Sequence, residues 1–91
     1  MDEFDWDEAK SEATLRTRGF DFHFASRVFD GSFFEAVDDR FDYGERRVRA
    51  TGVVDGQVLT VVYTRRAATV RIISARPATR KERHAYRALF G

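Results

Sequence analysis

Apolar positions recur along the 91 residues in two rhythms, a helical one towards each end and a strand rhythm between them. Phe4-Asp5-Trp6 is a short alternating run of the edge-strand type. Asp7 then stands where a helix N-cap belongs, and Asp7 and Glu8 both suit the positive end of a helix. The helix they open is expected to run to about Arg18 and to stop at Gly19, which readily takes the left-handed conformation that closes a helix. Trp6, Ala9 and Ala13 would follow its inner face. Asp21 caps a second helix over 22–29, where Phe24, Ala25, Val28 and Phe29 form a buried stripe, and Asp30-Gly31 ends it.

From Phe33 the period changes to two. Phe33 to Val37 reads as one strand, and "ERRVRATGVV" (45–54) as the next, with Val48, Ala50 and Val54 on one face and Arg47 and Arg49 on the other. Asp55-Gly56 is the strongest hairpin signal in the chain. The return run "QVLTVVYTR" is apolar on both faces and so belongs in the middle of a sheet. After a loop at 66–68, "TVRIISAR" reads as a second central strand. Strict alternation there places Arg71 with Ile73 and Ala75, and Arg76 on the opposite face with Ile72 and Ser74. Pro77 cannot donate to a ladder and ends the strand. Thr79 and Glu82 then form a capping box for a last helix. On that helix Arg80, His84 and Arg87 share one face, while Ala78, Ala85 and Leu89 lie opposite and are expected to pack on the sheet. The pattern is α+β: a short N-terminal strand, two helices, an antiparallel meander and a short C-terminal helix, in one domain spanning 1–91.

Charge sharpens this picture. Residues 1–45 carry thirteen Asp/Glu and five Lys/Arg, a net of −8, whereas residues 46–91 carry eleven Lys/Arg and two Asp/Glu, a net of +9. So uneven a split points to a polyanionic partner for the basic part, although the two halves also attract each other. There is no cysteine, hence no disulfide framework or thiolate metal site, and two histidines give little basis for structural zinc. The acidic start and the lack of any apolar run near ~20 residues lead to the expectation of a cytoplasmic protein without membrane contact.

Arginines in central strands are costly to bury unless paired, so Arg71 and Arg76 need an explanation. A phosphate site supplies one, because the guanidinium fork matches phosphate oxygens. Metal-free RNA cleavage needs a base for the 2′-hydroxyl, an acid for the leaving 5′-oxygen, and cations around the phosphate. Glu45 is the candidate base and His84 the candidate acid, while Arg71, Arg47 and Arg65 are candidates to clamp the phosphate. Tyr63 and Tyr86 are placed to stack on bases or orient a proton. Blander roles exist for each: an ion pair for Glu45, a solvated helix position for His84, core packing for Tyr63, and ordinary solvent exposure for Lys10 and Arg18.

"FDWDEAKSEATLRTRGFDF", "SRVFD", "GERR", "VLTVVYT" and "RIISARPATRKERHAY" together resemble the BrnT family of type II toxins, from about Phe4 to Tyr86. The resemblance implies a RelE-like fold and a ribonuclease that stops translation by cutting RNA; no cofactor is expected. It also implies a BrnA-type antitoxin with a ribbon-helix-helix DNA-binding part, through which alone the pair would reach operator DNA. Glu45, Arg46 or Arg47, Arg71, Arg76, Arg80 and Tyr86 fall on motif positions. RNA contacts are expected from Arg47, Arg65, Arg76, Arg80, Lys10 and Arg18, and catalysis from Glu45, Arg71, His84 and Tyr86. The chain departs from the family where Thr17-Arg18-Gly19 replaces Lys-His-Gly. A non-catalytic inhibitor of the gyrase-poison type, or a plain nucleic-acid-binding module, are the alternatives that the residues alone leave open.

Overall fold

A computed structural model describes residues 3–40, 42 and 44–91. β1 (Glu3–Trp6) leads into α1 (Glu8–Arg18), then α2 (Phe22–Ser26), which tightens into a 3-10 turn over Arg27–Asp30. The sheet continues with β2 (Phe33–Asp38), β3 (Arg47–Val54), β4 (Gln57–Arg66) and β5 (Thr69–Pro77), and α3 (Arg80–Phe90) closes the fold. The strand order is β1-β5-β4-β3-β2. β2 to β5 form the expected antiparallel meander, and β1 lies parallel to β5, so the five-stranded sheet is mixed. Among the described residues no helix is long and apolar enough to cross a membrane.

The local signals act where expected. Asp7 accepts from the Lys10 amide and Asp21 from the Phe24 amide. Gly19, at φ 84°, closes α1 by donating to the Leu15 carbonyl. Asp55 and Gly56 both have positive φ, 50° and 80°, as the two-residue hairpin between β3 and β4 requires. The second helix is shorter than the expected 22–29, because its last turn is 3-10.

One face of the sheet carries the core. Phe22, Ala25 and Val28 pack against Val70, Ile72 and Ala75 of β5, Leu59 and Val61 of β4, and Ala50 and Val54 of β3. The inner face of α1 differs from expectation. Ala9 is exposed and Ala13 half-buried, and the buried residue is Ser11, whose hydroxyl accepts from the Phe22 amide at 3.0 Å. A small polar side chain lets α1 approach α2 and satisfies an amide at the start of α2 that has no helical partner. Leu89, expected against the sheet, is 62% exposed, whereas Ala78 is buried and Ala85 half-buried.

The most consequential departure is in β5. A bulge lies where β4 passes from Val62 to Tyr63: Val62 pairs with Ser74, but Tyr63 pairs with Ile72. The extra residue resets the alternation. Ala75 joins Ile72 and Val70 in the core, while Arg71, opposite Thr64, and Arg76, opposite Thr60, come to the same outer face. Strict alternation had put them on opposite faces.

Candidate nucleic-acid interface

The sheet face away from α1 and α2 is built from cross-strand rows. Asp38, Arg47, Thr64, Arg71 and Asp5 form one row, and Ala36, Arg49, Val62 and Ser74 the next. Phe34, Thr51, Thr60 and Arg76 form a third, which α3 borders through Thr79 and Glu82. Three adjacent strands thus place arginines on one surface, a consequence of period-two alternation in β3 and of the bulge in β5.

These cations are organised by carboxylates. Glu45, just before β3, lies 3.5 Å from Arg47 Nε and 3.4 Å from Arg66 Nη2. Asp5 accepts from Arg71 at 3.1 Å, across the parallel β1–β5 pair. Asp38 is buried and receives both Arg40 Nε and Nη2, at 2.8 and 3.1 Å. Its carboxyl is held below the usual range, the Arg40 hydrogen bond outweighing the cost of burial. Glu82 takes a two-pronged contact from Arg76, at 2.7 and 3.1 Å, and reaches back to the Thr79 amide at 2.8 Å to complete the capping box.

Burial alone would raise the Glu82 pKa, but the hydrogen bonds from Arg76 and the Thr79 amide dominate and bring it to about 2, against an ordinary 4.5. In the unfolded chain the group titrates near its ordinary value. Its stabilising effect is therefore complete above pH 4.5 and is lost as the pH falls towards 2, where the native state also takes up the proton. Acid unfolding followed by circular dichroism should show a steeper loss of stability over that window in the wild type than in Glu82→Gln. Parallel curves would contradict the assignment.

A cleft of about 440 Å³ lies at the Glu45 end of the sheet and is lined by Glu45, Arg46, Tyr63, Arg65 and Arg66 among others. Tyr63 donates its hydroxyl to Glu35. Burial, then that bond, pushes the Tyr63 pKa up to about 12, with Arg65 pulling the other way. Register places Tyr63 and Arg65 on the core side of β4, facing away from Arg47 and Arg71.

The residues singled out from sequence therefore divide. Glu45, Arg47 and Arg71 belong to one end of the open face, together with Arg66, which sequence reasoning passed over. Arg76 lies on the same face beside α3. Arg80 and His84 are exposed on α3, turned to solvent. The Tyr86 hydroxyl donates to the Ser32 carbonyl at 3.2 Å, and its ring lies 4.9 Å from that of Phe90. Arg47 and Thr51 are four strand residues apart, roughly 13 Å, with Glu45 beyond Arg47 and α3 near Thr51. Glu45 is thus not brought together with His84 or Tyr86. Lys10 and Arg18 project from α1, in the layer behind the sheet. The two hidden participants, Asp5 and Glu82, gave a signal only as a strand carboxylate and a capping residue.

A profile of the family described as the ribonuclease toxin, BrnT, of type II toxin-antitoxin systems matches residues 6–82. The chain belongs to this family. It is accordingly a ribonuclease toxin with an antitoxin partner, which sets aside the inhibitor and plain binding-module alternatives. The matched stretch takes in Glu45, the arginines of β3 to β5 and Glu82, and stops short of His84 and Tyr86. No curated protein matches the chain.

Proposed function

We propose that the toxin is a metal-independent endoribonuclease of RelE-like architecture that cuts single-stranded RNA on the open arginine face. The observation that carries this reading is the convergence of Glu45, Arg47 and Arg66, with Arg71 two strands along from Arg47 in the same row, at one end of that face. In this reading the guanidinium groups of that face carry the charge of the transition state.

In this mechanism Glu45 takes the 2′-hydroxyl proton and the 2′-oxygen attacks the adjacent phosphorus. Arg47, Arg66 and Arg71 hold the phosphate oxygens, and their carboxylate partners position the forks until RNA arrives. The 5′-oxygen departs and recovers a proton from the Glu45 carboxyl or from water, leaving a 2′,3′-cyclic phosphate and a 5′-hydroxyl. Arg76 and Arg80 extend the phosphate track towards α3. His84 and Tyr86 act there as RNA contacts, since their distance from Glu45 separates them from its proton transfer. Arg65 serves the strand as it leaves past the Tyr63 cleft, and Lys10 and Arg18 supply only long-range attraction. The antitoxin is read as BrnA-like, with a ribbon-helix-helix part that alone touches operator DNA. The pair would work in the cytoplasm, without a membrane or a cofactor.

Purified toxin incubated with RNA in excess EDTA tests the mechanism. Undiminished cutting with cyclic-phosphate ends is expected; loss of cutting that added metal restores would overturn it.

A further inference from the structure

Between α3 and strands β2 and β3 lies a cleft of about 360 Å³ whose walls include Phe34, Arg49, Lys81 and Glu82. Its cations are not equivalent. Arg76 is taken by Glu82 and Arg40 by Asp38, each through two bonds. Arg49 stands between them on β3 with its Nε buried and without a hydrogen-bond partner among the described residues. The Arg49 side chain as a whole is half-buried, and a phosphate oxygen meeting its terminal N–H groups would give this guanidinium the charged acceptor that Arg76 and Arg40 already have. Lys81, in the first turn of α3, adds a second positive charge at the rim. The Phe34 side chain is half-buried on the same wall and offers an apolar surface. A half-buried guanidinium and a second cation beside an aromatic ring suit a nucleotide, with the phosphate on the guanidinium and the base against the ring. An acidic peptide would use the charges and leave the phenyl ring idle.

We infer that this cleft is a second nucleotide subsite, in which Arg49 and Lys81 hold a phosphate of the RNA and Phe34 stacks on its base, away from the bond that is cut. The inference rests on the proposed cutting site only for the direction in which the strand runs. Arg49 lies one pleat repeat, roughly 7 Å, beyond Arg47, so a strand engaged at Glu45 enters the cleft a short way along. The subsite sets how long a substrate must be and leaves the chemistry to the Glu45 end.

Binding of uncleavable 2′-O-methyl oligonucleotides, from two to eight residues long, tests this without relying on activity. Wild-type affinity should climb as the oligonucleotide becomes long enough to fill the cleft. Arg49→Gln and Phe34→Leu should each remove about tenfold of that gain, and Arg49→Gln should also reduce the salt slope by about one. Phe34→Tyr, which keeps the ring, should retain the affinity and control for folding. Equal loss at every length, full affinity in Phe34→Leu, or lost antitoxin binding with oligonucleotide binding intact would each overturn the subsite. If Glu45→Gln still cuts while the length-dependent effect persists, the cutting site has been misplaced and the subsite stands.

Discussion

Glu45→Gln should slow RNA cleavage by about 10²- to 10⁴-fold, the usual contribution of a positioned general base. Glutamine keeps the shape of the side chain and an oxygen for Arg47 and Arg66, but it cannot accept the 2′-hydroxyl proton. The fold should tolerate the change. The two ion pairs are long, at 3.5 and 3.4 Å, and Arg66 is largely exposed, and contacts of that kind contribute ~1 kcal/mol or less. Single-turnover cleavage and thermal unfolding, measured on the same preparation, separate the two effects. Growth arrest on expression should disappear with the activity. Cleavage within a few-fold of wild type would move the base elsewhere, and Glu35, beside Tyr63, would be the next carboxylate to replace.

The second large effect is on stability. Phe22 is 1% exposed and belongs to the central cluster. Its ring meets Trp6 edge-on at 6.4 Å, and its amide is held by Ser11. It therefore joins α1, α2 and β1 at one point. Phe22→Ala removes the ring and leaves a cavity that the surrounding strands cannot close, at a cost of about 3–5 kcal/mol. Since a domain of this size is stable by only ~5–15 kcal/mol in total, a large part of the margin would go. Urea unfolding should show a lower midpoint, with cleavage falling in step with the folded fraction, unlike Glu45→Gln, which stays folded. A loss below ~1 kcal/mol would mean that the helical layer is not seated on the sheet through Phe22.

Much of the architecture was legible in short-range chemistry. Asp7 and Gly19 bound α1, Thr79 and Glu82 open α3, and Asp55-Gly56 turns β3 into β4, because each of these acts on its neighbours in sequence. What alternation could not show was the bulge in β5, since Ile73 looks like any other strand residue and the register shift is decided by how β4 lies beside it. Arg71 and Arg76 were consequently assigned to opposite faces although they share one. The interior position of Ser11 was likewise hidden, because its burial depends on an amide eleven residues away. Glu45, Arg47 and Arg71, singled out from charge and chain position, do lie at one end of the open face. Their partner Asp5 was not singled out, since its contact lies 66 residues distant. The Arg49 cleft was missed for a similar reason: Phe34, Arg49 and Lys81 come from three elements that only the closed fold brings side by side.

The parallel pairing of Glu3–Trp6 with Thr69–Ile72 has a consequence for how the toxin is made. β1 must wait for β5, since its place in the sheet is created only when β5 is synthesised. Closing so long a loop carries an entropic cost that local contacts do not offset, so the edge should be completed late. A prematurely terminated chain that ends before β5 lacks both Arg71 and the surface that would align it with Glu45. Translation products truncated before β5 should therefore be harmless, and lethality should arise only once β5 has been made.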